Sequence, residues 1–406
     1  MNVFVGRQPI FDRNLRTYAY ELLFRSGAGN HFDGTDAVSA TSTVVANTFL
    51  SIGADRILGD RRGFVNFPRE LLVDQGALAL PSHSVVIEIL ETVTPDEAVL
   101  RGCRRLKDAG FLLALDDFVH SPEYLPLVDL ADFVKVDFRA TPRAQCRALA
   151  LEFGRRDIRM LAEKVETQEE VEQARDMGYA FYQGYFFAKP QIIAARDVPR
   201  SKLNCLRILR EVHAPALDFA RLEDLIRVEV SLAHSLLRYV NSAAFGLRRR
   251  IECLRHALVV LGEREVRKVV SLAALPALAS DKPHELTRIC LNRGRLCENV
   301  AAQSALRARA PECFLMGMFS LLDAMIGRPL DEVLGELGLA PDVCAALTRD
   351  PPPATPLASV FALCRACEAA DPAAIARHSR SLGLAPETVS DLFLEALCWS
   401  ESVLQV

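Results

Sequence analysis

The sequence predicts a two-part chain: an α/β barrel of the TIM type, modified by an antiparallel first strand and shortened helices, followed by an all-helical domain. Three observations carry this expectation. Between residues 3 and 181, eight short apolar segments are mostly separated by helix-like ones. Such alternation builds a parallel sheet, and eight strands are the number that closes a barrel. From Leu203 onward the strand rhythm stops and apolar residues recur at helical spacing. Between the two patterns DVPRS, at 197–201, fits neither. A chain of 406 residues exceeds one ordinary core. The expected domains are therefore 1–197 and 198–406.

The expected strands are Val3–Val5, Thr17–Phe24, Gly63–Phe67, Ser84–Leu90, Phe111–Leu115, Phe133–Val136, Ile158–Ala162 and Tyr179–Phe181. Asn14 turns the chain between the first two too tightly for a helical crossover, so they pair as a hairpin. Helix-like segments lie at Ser39–Leu50, Arg69–Gln75, Pro95–Ala109, Glu123–Val128, Pro142–Phe153 and Gln168–Met177. The second part reads as helices over 203–212, 219–227, 231–241, 251–260, 263–279, 285–307, 311–326, 356–369, 372–380 and 386–400. Gly246, Gly262 and Gly327 are its expected stops. Phe314, Met316, Met318, Phe319 and Met325 read as core, with an adaptable partner groove as the alternative.

Net charge is −4, from 48 basic and 52 acidic residues, which gives no bulk attraction to nucleic acid. No apolar run reaches the roughly 18 residues of a membrane span. The opening MNVFVGRQPIFDRN is not a signal peptide, so a cytoplasmic protein away from membranes is expected. Eleven irregularly spaced cysteines are a poor disulfide framework. Cys364 and Cys367, in CRAC, lack the further ligands that a zinc site needs.

Chemistry concentrates at strand ends. Glu21 lies in AYELLF, Asn66 ends GFVNF, Glu88 sits in VVIEIL, and Asp116 and Asp117 follow LLAL. Lys135 and Asp137 lie in FVKVDF, Glu163 follows RMLA, and Gln183 follows YAFY. In a barrel, the carboxyl ends of the strands converge on one rim, the usual seat of chemistry. Carboxylates and an asparagine there suit Mg²⁺ or Mn²⁺. Two such ions would suit phosphodiester hydrolysis, with Lys135 holding a water or offsetting developing charge. The alternative is an acidic rim kept for solubility or folding.

These residues carry a resemblance. Residues 3–195 resemble an EAL domain, a barrel family associated with cyclic di-GMP hydrolysis. The landmarks, in order, are RQPIFDRNLRTYAYELLFR, FVNF, EILE, DDF, KVD, AEKVET and QGYFFAKP. The resemblance implies metal ligands at Glu21, Asn66, Glu88, Asp116 and Asp117, the last shared between ions. It implies a catalytic role for Lys135, Glu163 and Asp117. It implies cyclic di-GMP contacts at Gln8, Pro9, Arg25 and Gln183, and support by Glu91 for the loop after Asp117. Two departures stand out. The family's DDFGTGYS reads DDFVHSPEY, with Val119 and Ser121 for both glycines and His120 for threonine. Its AEGVE carries Lys164 in place of glycine. Valine resists the left-handed angles that a glycine turn adopts. A lysine beside the cleft can pair with a carboxylate and disturb metal binding.

The second part resembles an HDOD domain over about 203–280 and more loosely to about 395. LLRYVNSAAFG and IECLRHALVVLG carry the likeness. Glu229-Val230 replaces the usual Asp-Pro, and the chain contains no His-Asp doublet. His234, His256 and His284 are expected to be surface or packed polarity. The joint arrangement is similar to the YuxH-type family of bacterial signal-transduction proteins. It implies a signalling protein with an unidentified protein partner for the helical domain and a candidate homodimer; the altered loop and Lys164 point to a weakly active or inactive barrel. The competing readings are an active metal-dependent cyclic di-GMP phosphodiesterase and a scaffold that binds no nucleotide.

Overall fold

The structure, a computed structural model, describes residues 3–26, 58–73, 80–118, 121–188, 199–241 and 250–405. The expected helix at 39–50, the substitutions Val119 and His120, Gly246, and the 197/198 boundary lie outside these residues.

Eight strands close a barrel in chain order. They are β1 (Val3–Phe11), β2 (Thr17–Ser26), β3 (Arg62–Phe67), β4 (Val85–Ile89), β5 (Leu112–Leu115), β6 (Phe133–Asp137), β7 (Arg159–Glu163) and β8 (Phe181–Gln183). β1 runs antiparallel to both β2 and β8, and the remaining neighbours are parallel. The hairpin that reverses β1 is pinned by Asp12. Its carboxylate accepts the backbone N–H groups of Asn14 and Arg16 at 2.8 and 2.9 Å. Leu15, rather than Asn14, takes the left-handed angle, φ 56°.

Two crossover helices show why their segments fold as they do. Asp96 caps Glu97–Asp108 by accepting the Val99 N–H at 2.9 Å, while Val99, Leu100, Cys103 and Leu106 form the buried face. Thr167 caps Gln168–Met177, which stops at left-handed Gly178. After β5 the crossover shrinks to a single 3₁₀ turn and Leu125–Val128, in line with the shortened helices expected.

One buried residue from each strand fills the barrel: Ile10, Ala19, Phe64, Val86, Ala114, Phe133, Leu161 and Phe181. The Phe133 ring meets Phe64 and Phe181 edge-on at 5.2 and 5.5 Å between centroids. This plug is the floor on which the site is built.

The described residues pack as two compact units. One gathers the chain up to Phe187 together with Arg365–Arg377 and Pro386–Ser390, and the other holds the rest. Helical periodicity cannot reveal that these two C-terminal segments belong with the barrel. They come close to β1: a Cβ added at Gly6 would lie 2.8 Å from the Ala370 Cβ.

Among the described residues, the regular structure of the second unit is all helical. The expected helices at 251–260 and 263–279 form one element, Leu254–Leu278, broken at Gly262 (φ 70°, ψ 168°). The expected 311–326 splits into Ala310–Phe319 and Leu322–Ile326, and Gly327 ends it in the left-handed region. Leu330–Leu337 and Pro341–Thr348 add two short helices. Asn241 does more than end Val230–Val240. Its side chain donates to the carbonyls of Leu237 and Ile251 and accepts the Ile251 N–H, all at 2.8 Å. Phe314, Met316, Met318, Phe319 and Met325 are fully buried, so they are core and not a groove. His234, His256 and His284 are exposed. The cysteines are free thiols, and both members of CRAC are buried.

Helices His284–Ala302 and Ala310–Phe319 cross where small residues permit it. A Cβ at Gly317 would lie 2.3 Å from the Arg293 carbonyl oxygen and 2.6 Å from the Gly294 nitrogen. Gly317→Ala must push these backbones apart. It is expected to destabilise the helical unit by about 1–3 kcal/mol or more, read as a lower urea midpoint by far-UV circular dichroism.

Candidate metal centre

Side chains on a strand alternate between faces, so two residues on from a plug residue the chain faces inward again. Applied to the plug, this rule yields the site. Ala19 leads to Glu21, Phe64 to Asn66, Val86 to Glu88, Ala114 to Asp116, Phe133 to Lys135, Leu161 to Glu163 and Phe181 to Gln183. On antiparallel β1 the same step runs backwards, from Ile10 to Gln8. Every strand thus delivers one polar residue to the mouth.

Lys135 is the hub, with a side chain only 1% exposed. Its ammonium donates to Glu88, and it lies 2.8 Å from Asp116, 2.8 Å from Glu163 and 3.3 Å from Glu21. Three amides complete the ring. Gln183 Nε2 donates to Glu21 at 2.6 Å and to the Gln8 Oε1 at 3.1 Å. Asn66 Nδ2 reaches Glu21 at 3.5 Å. Behind Gln183, Gly184 (φ 145°) is pressed against the next motif, and a Cβ there would lie 2.0 Å from the Val165 carbonyl oxygen.

One ammonium cannot balance four carboxylates, three of them buried and Asp116 partly so. Burial pushes Glu88 well up; the Lys135 charge opposes this, and neighbouring Glu21, Asp116 and Glu163 reinforce it. Burial likewise raises Glu163 from the ordinary 4.5 to about 8 against the pull of Lys135, with Asp116 and Glu21 adding to the rise. Desolvation works against the Lys135 charge, but the surrounding carboxylates outweigh it and hold its proton well above the usual range.

The donor set fits a divalent cation. Asn66 Oδ1, Glu88 Oε2, Asp117 Oδ1 and Glu163 Oε2 are buried with no hydrogen-bond partner among the described residues. Such oxygens are costly unless something binds them. Asp116, Asp117 and Glu163 each offer an oxygen within 4.8 Å of the others. Hard oxygen donors at the edge of a cleft match Mg²⁺ or Mn²⁺ chemistry.

Glu21, Asn66, Glu88, Asp116, Lys135, Glu163, Gln183 and Gln8 therefore come together, with Asp117 at the outer edge. Pro9 takes the alternate position on β1, opposite Tyr20. Of Arg25 only the backbone, near the end of β2 and opposite Phe4, is described. Glu91 is exposed, and its link to the segment after Asp117 runs through its backbone carbonyl, which accepts the Tyr124 hydroxyl at 3.2 Å. Sequence reading gave no site role to Asp137. Yet Lys164 donates to Asp137 at 2.5 Å and approaches Asp117 at 3.4 Å. Burial tends to raise the Asp137 carboxyl, but Lys164 and the N–H groups of Ala140 and Arg139 hold it below the usual range. Position two after Lys135 on the same strand was the signal available.

The EAL domain family matches residues 42–190, and the HDOD domain family matches 198–326. Cyclic di-GMP phosphodiesterase CdgJ of Vibrio cholerae is 37% identical over 407 residues, covering 98% of this chain and 93% of CdgJ. The uncharacterized protein YuxH of Bacillus subtilis is 35% identical over 355 residues, covering 86% of this chain and 87% of YuxH. BlrP1 of Klebsiella pneumoniae, solved as a manganese/cy-diGMP complex, is 24% identical with a TM-score of 0.40, covering 46% of this chain and 55% of BlrP1. A closed barrel with an antiparallel first strand and an acidic mouth, followed by a helical unit, defines the class of EAL–HDOD proteins. The chain belongs to the family of CdgJ and YuxH.

The shift of Glu163 has a pH consequence in chelator-treated protein. Its folded-state value lies above its unfolded one, so its stabilising contribution is full below about 4.5 and is lost as pH rises to about 8. The barrel is expected to lose thermal stability across that window. Glu163→Gln should flatten the slope, as measured by unfolding midpoints at stepped pH.

Proposed function

We propose that the protein is a cyclic di-GMP signalling protein whose barrel mouth binds divalent cation and nucleotide but hydrolyses the nucleotide slowly or not at all. The observation that carries the reading is the buried ring in which one ammonium serves four carboxylates, leaving ligand oxygens without partners. Glu21, Asn66, Glu88, Asp116 and Asp117 would hold Mg²⁺ or Mn²⁺. Such ions polarise phosphoryl oxygens and activate water. Lys135 would offset charge developing on the phosphoryl group, Glu163 would hold or accept a proton beside it, and Gln8, Pro9, Arg25 and Gln183 would contact the nucleotide. Slow turnover follows from Lys164, which engages Asp117 at the edge of the same cleft.

The active-phosphodiesterase reading is supported by the near-complete ligand row and by the 37% identity to cyclic di-GMP phosphodiesterase CdgJ. The helical domain, which we assign to 198–406 after a barrel domain at 1–197, would serve a protein partner or a second copy of the chain. A cytoplasmic site of action fits this role. No helix among the described residues is long and apolar enough to cross a membrane.

The test is calorimetry of the full chain with cyclic di-GMP, with and without Mn²⁺, beside a hydrolysis assay. We expect Mn²⁺-dependent binding and turnover far below the ~10 s⁻¹ typical of enzymes. Glu21→Ala should weaken Mn²⁺ binding by more than about tenfold. Rapid linear product, abolished by Glu21→Ala, would establish the phosphodiesterase instead. No binding with either cation would leave a scaffold.

A further inference from the structure

We propose that the Lys164 ammonium is a resident cation for the outer half of the acidic mouth, so that the protein takes up one divalent ion where its oxygen donors could serve two. The proposal rests on the metal-binding reading above and concerns how many ions that site accepts.

The unpartnered oxygens of the mouth fall into two groups. Asn66 Oδ1, Glu88 Oε2 and Gln183 Oε1 belong to the inner ring around Lys135 and Glu21. Asp117 Oδ1 and Glu163 Oε2 belong to the outer trio with Asp116. Asp116 and Glu163 are common to both, since an oxygen of each faces Lys135. A shared carboxylate between two donor groups is the arrangement by which paired ions are held.

The two halves differ in how their charge is met. In the inner ring Lys135 faces four carboxylates, more acid than one ammonium can pair. In the outer half Lys164 lies 2.5 Å from Asp137 and 3.4 Å from Asp117. A dication held by Asp117 would face the Lys164 ammonium across a half-exposed rim, where solvent screens part of the like-charge repulsion but does not remove it. The inner half keeps its demand for a cation, whereas at the outer edge Lys164 already pairs Asp117, the one carboxylate of the trio that does not face Lys135.

The backbone supports this assignment independently. Lys164 sits at φ 53° and Asp117 at φ 37°, both in the left-handed region that side chains with a Cβ avoid. Facing each other, both are held at the cleft by the strand ends that precede them and by their ion pair. Strain of this kind persists where surrounding structure over-determines it. A glycine at 164 would relax the backbone, so Lys164→Gly has no steric reason to misfold. Lys164→Gln keeps the bulk and removes only the charge.

The experiment counts bound Mn²⁺ in the full-length protein by calorimetry and by electron paramagnetic resonance, without nucleotide. The unaltered chain is expected to bind one ion, and Lys164→Gly and Lys164→Gln two, with the spin coupling of a close pair appearing only in the variants. Thermal midpoints of the apo proteins verify that all three are folded. Two ions in the unaltered chain, or one in all three proteins, would overturn the role of Lys164 while leaving the metal reading intact. No ion in any of them would overturn both.

Discussion

The structure turns on a charge buried at the centre of a barrel. Lys135 projects from β6 into a ring whose carboxylates come from β2, β4, β7 and the end of β5. Removing charges from water costs several kcal/mol per ion, and only close partners offset it. Here the partners reach across the barrel from separate strands, so their geometry depends on closure of the whole sheet. The cluster is over-supplied with acid. A protein that folds around such an excess must hold protons there or bind cations, and the raised values of Glu88 and Glu163 express that alternative. Folding and ligand affinity are therefore set by the same few side chains.

The floor beneath the ring makes this tolerable. Phe64, Phe133 and Phe181 seal the barrel interior below the polar residues, and Tyr18 lies over two of these rings. Water is excluded from one side of the cluster, which strengthens every electrostatic interaction above it. At the outer edge the environment changes. Lys164 and Asp117 are half exposed, and their pairing is correspondingly softer than that of Lys135. The depth of the mouth thus grades from a rigid inner ring to an adjustable rim.

The helical unit puts its polarity to structural use. Arg288 bonds Glu285 and Glu401 in its interior, and Arg293 donates to Ser320 at 3.0 Å. Lys268 closes on both oxygens of Glu298. His213 is buried against Ser271, and burial, with the nearby Arg267 charge, presses its value down to about 3, so it stays neutral. These contacts fix how the helices pack. The chain lacks a His-Asp doublet, and its expected surface histidines are exposed.

All eight strands, the antiparallel start and most of the helices were legible in the sequence because alternation and helical spacing are local properties, although β1 runs on from the expected Val3–Val5 to Phe11 and β8 shares only Phe181 with the expected Tyr179–Phe181. The polar strand ends were legible too, since each lies in or directly after a short apolar segment. Lys164 was visible as a lysine where a glycine was expected, but its pairing with Asp137 was not, because β6 and β7 supply the two partners from 27 residues apart. Nor could periodicity show that Arg365–Arg377 belongs with the barrel, since a helix looks the same wherever it packs. By itself the sequence determined which residues face inward, through the two-residue repeat of a strand. Only the tertiary structure decided which of those charges meet, because closure of the sheet sets distances between strands that no local pattern encodes.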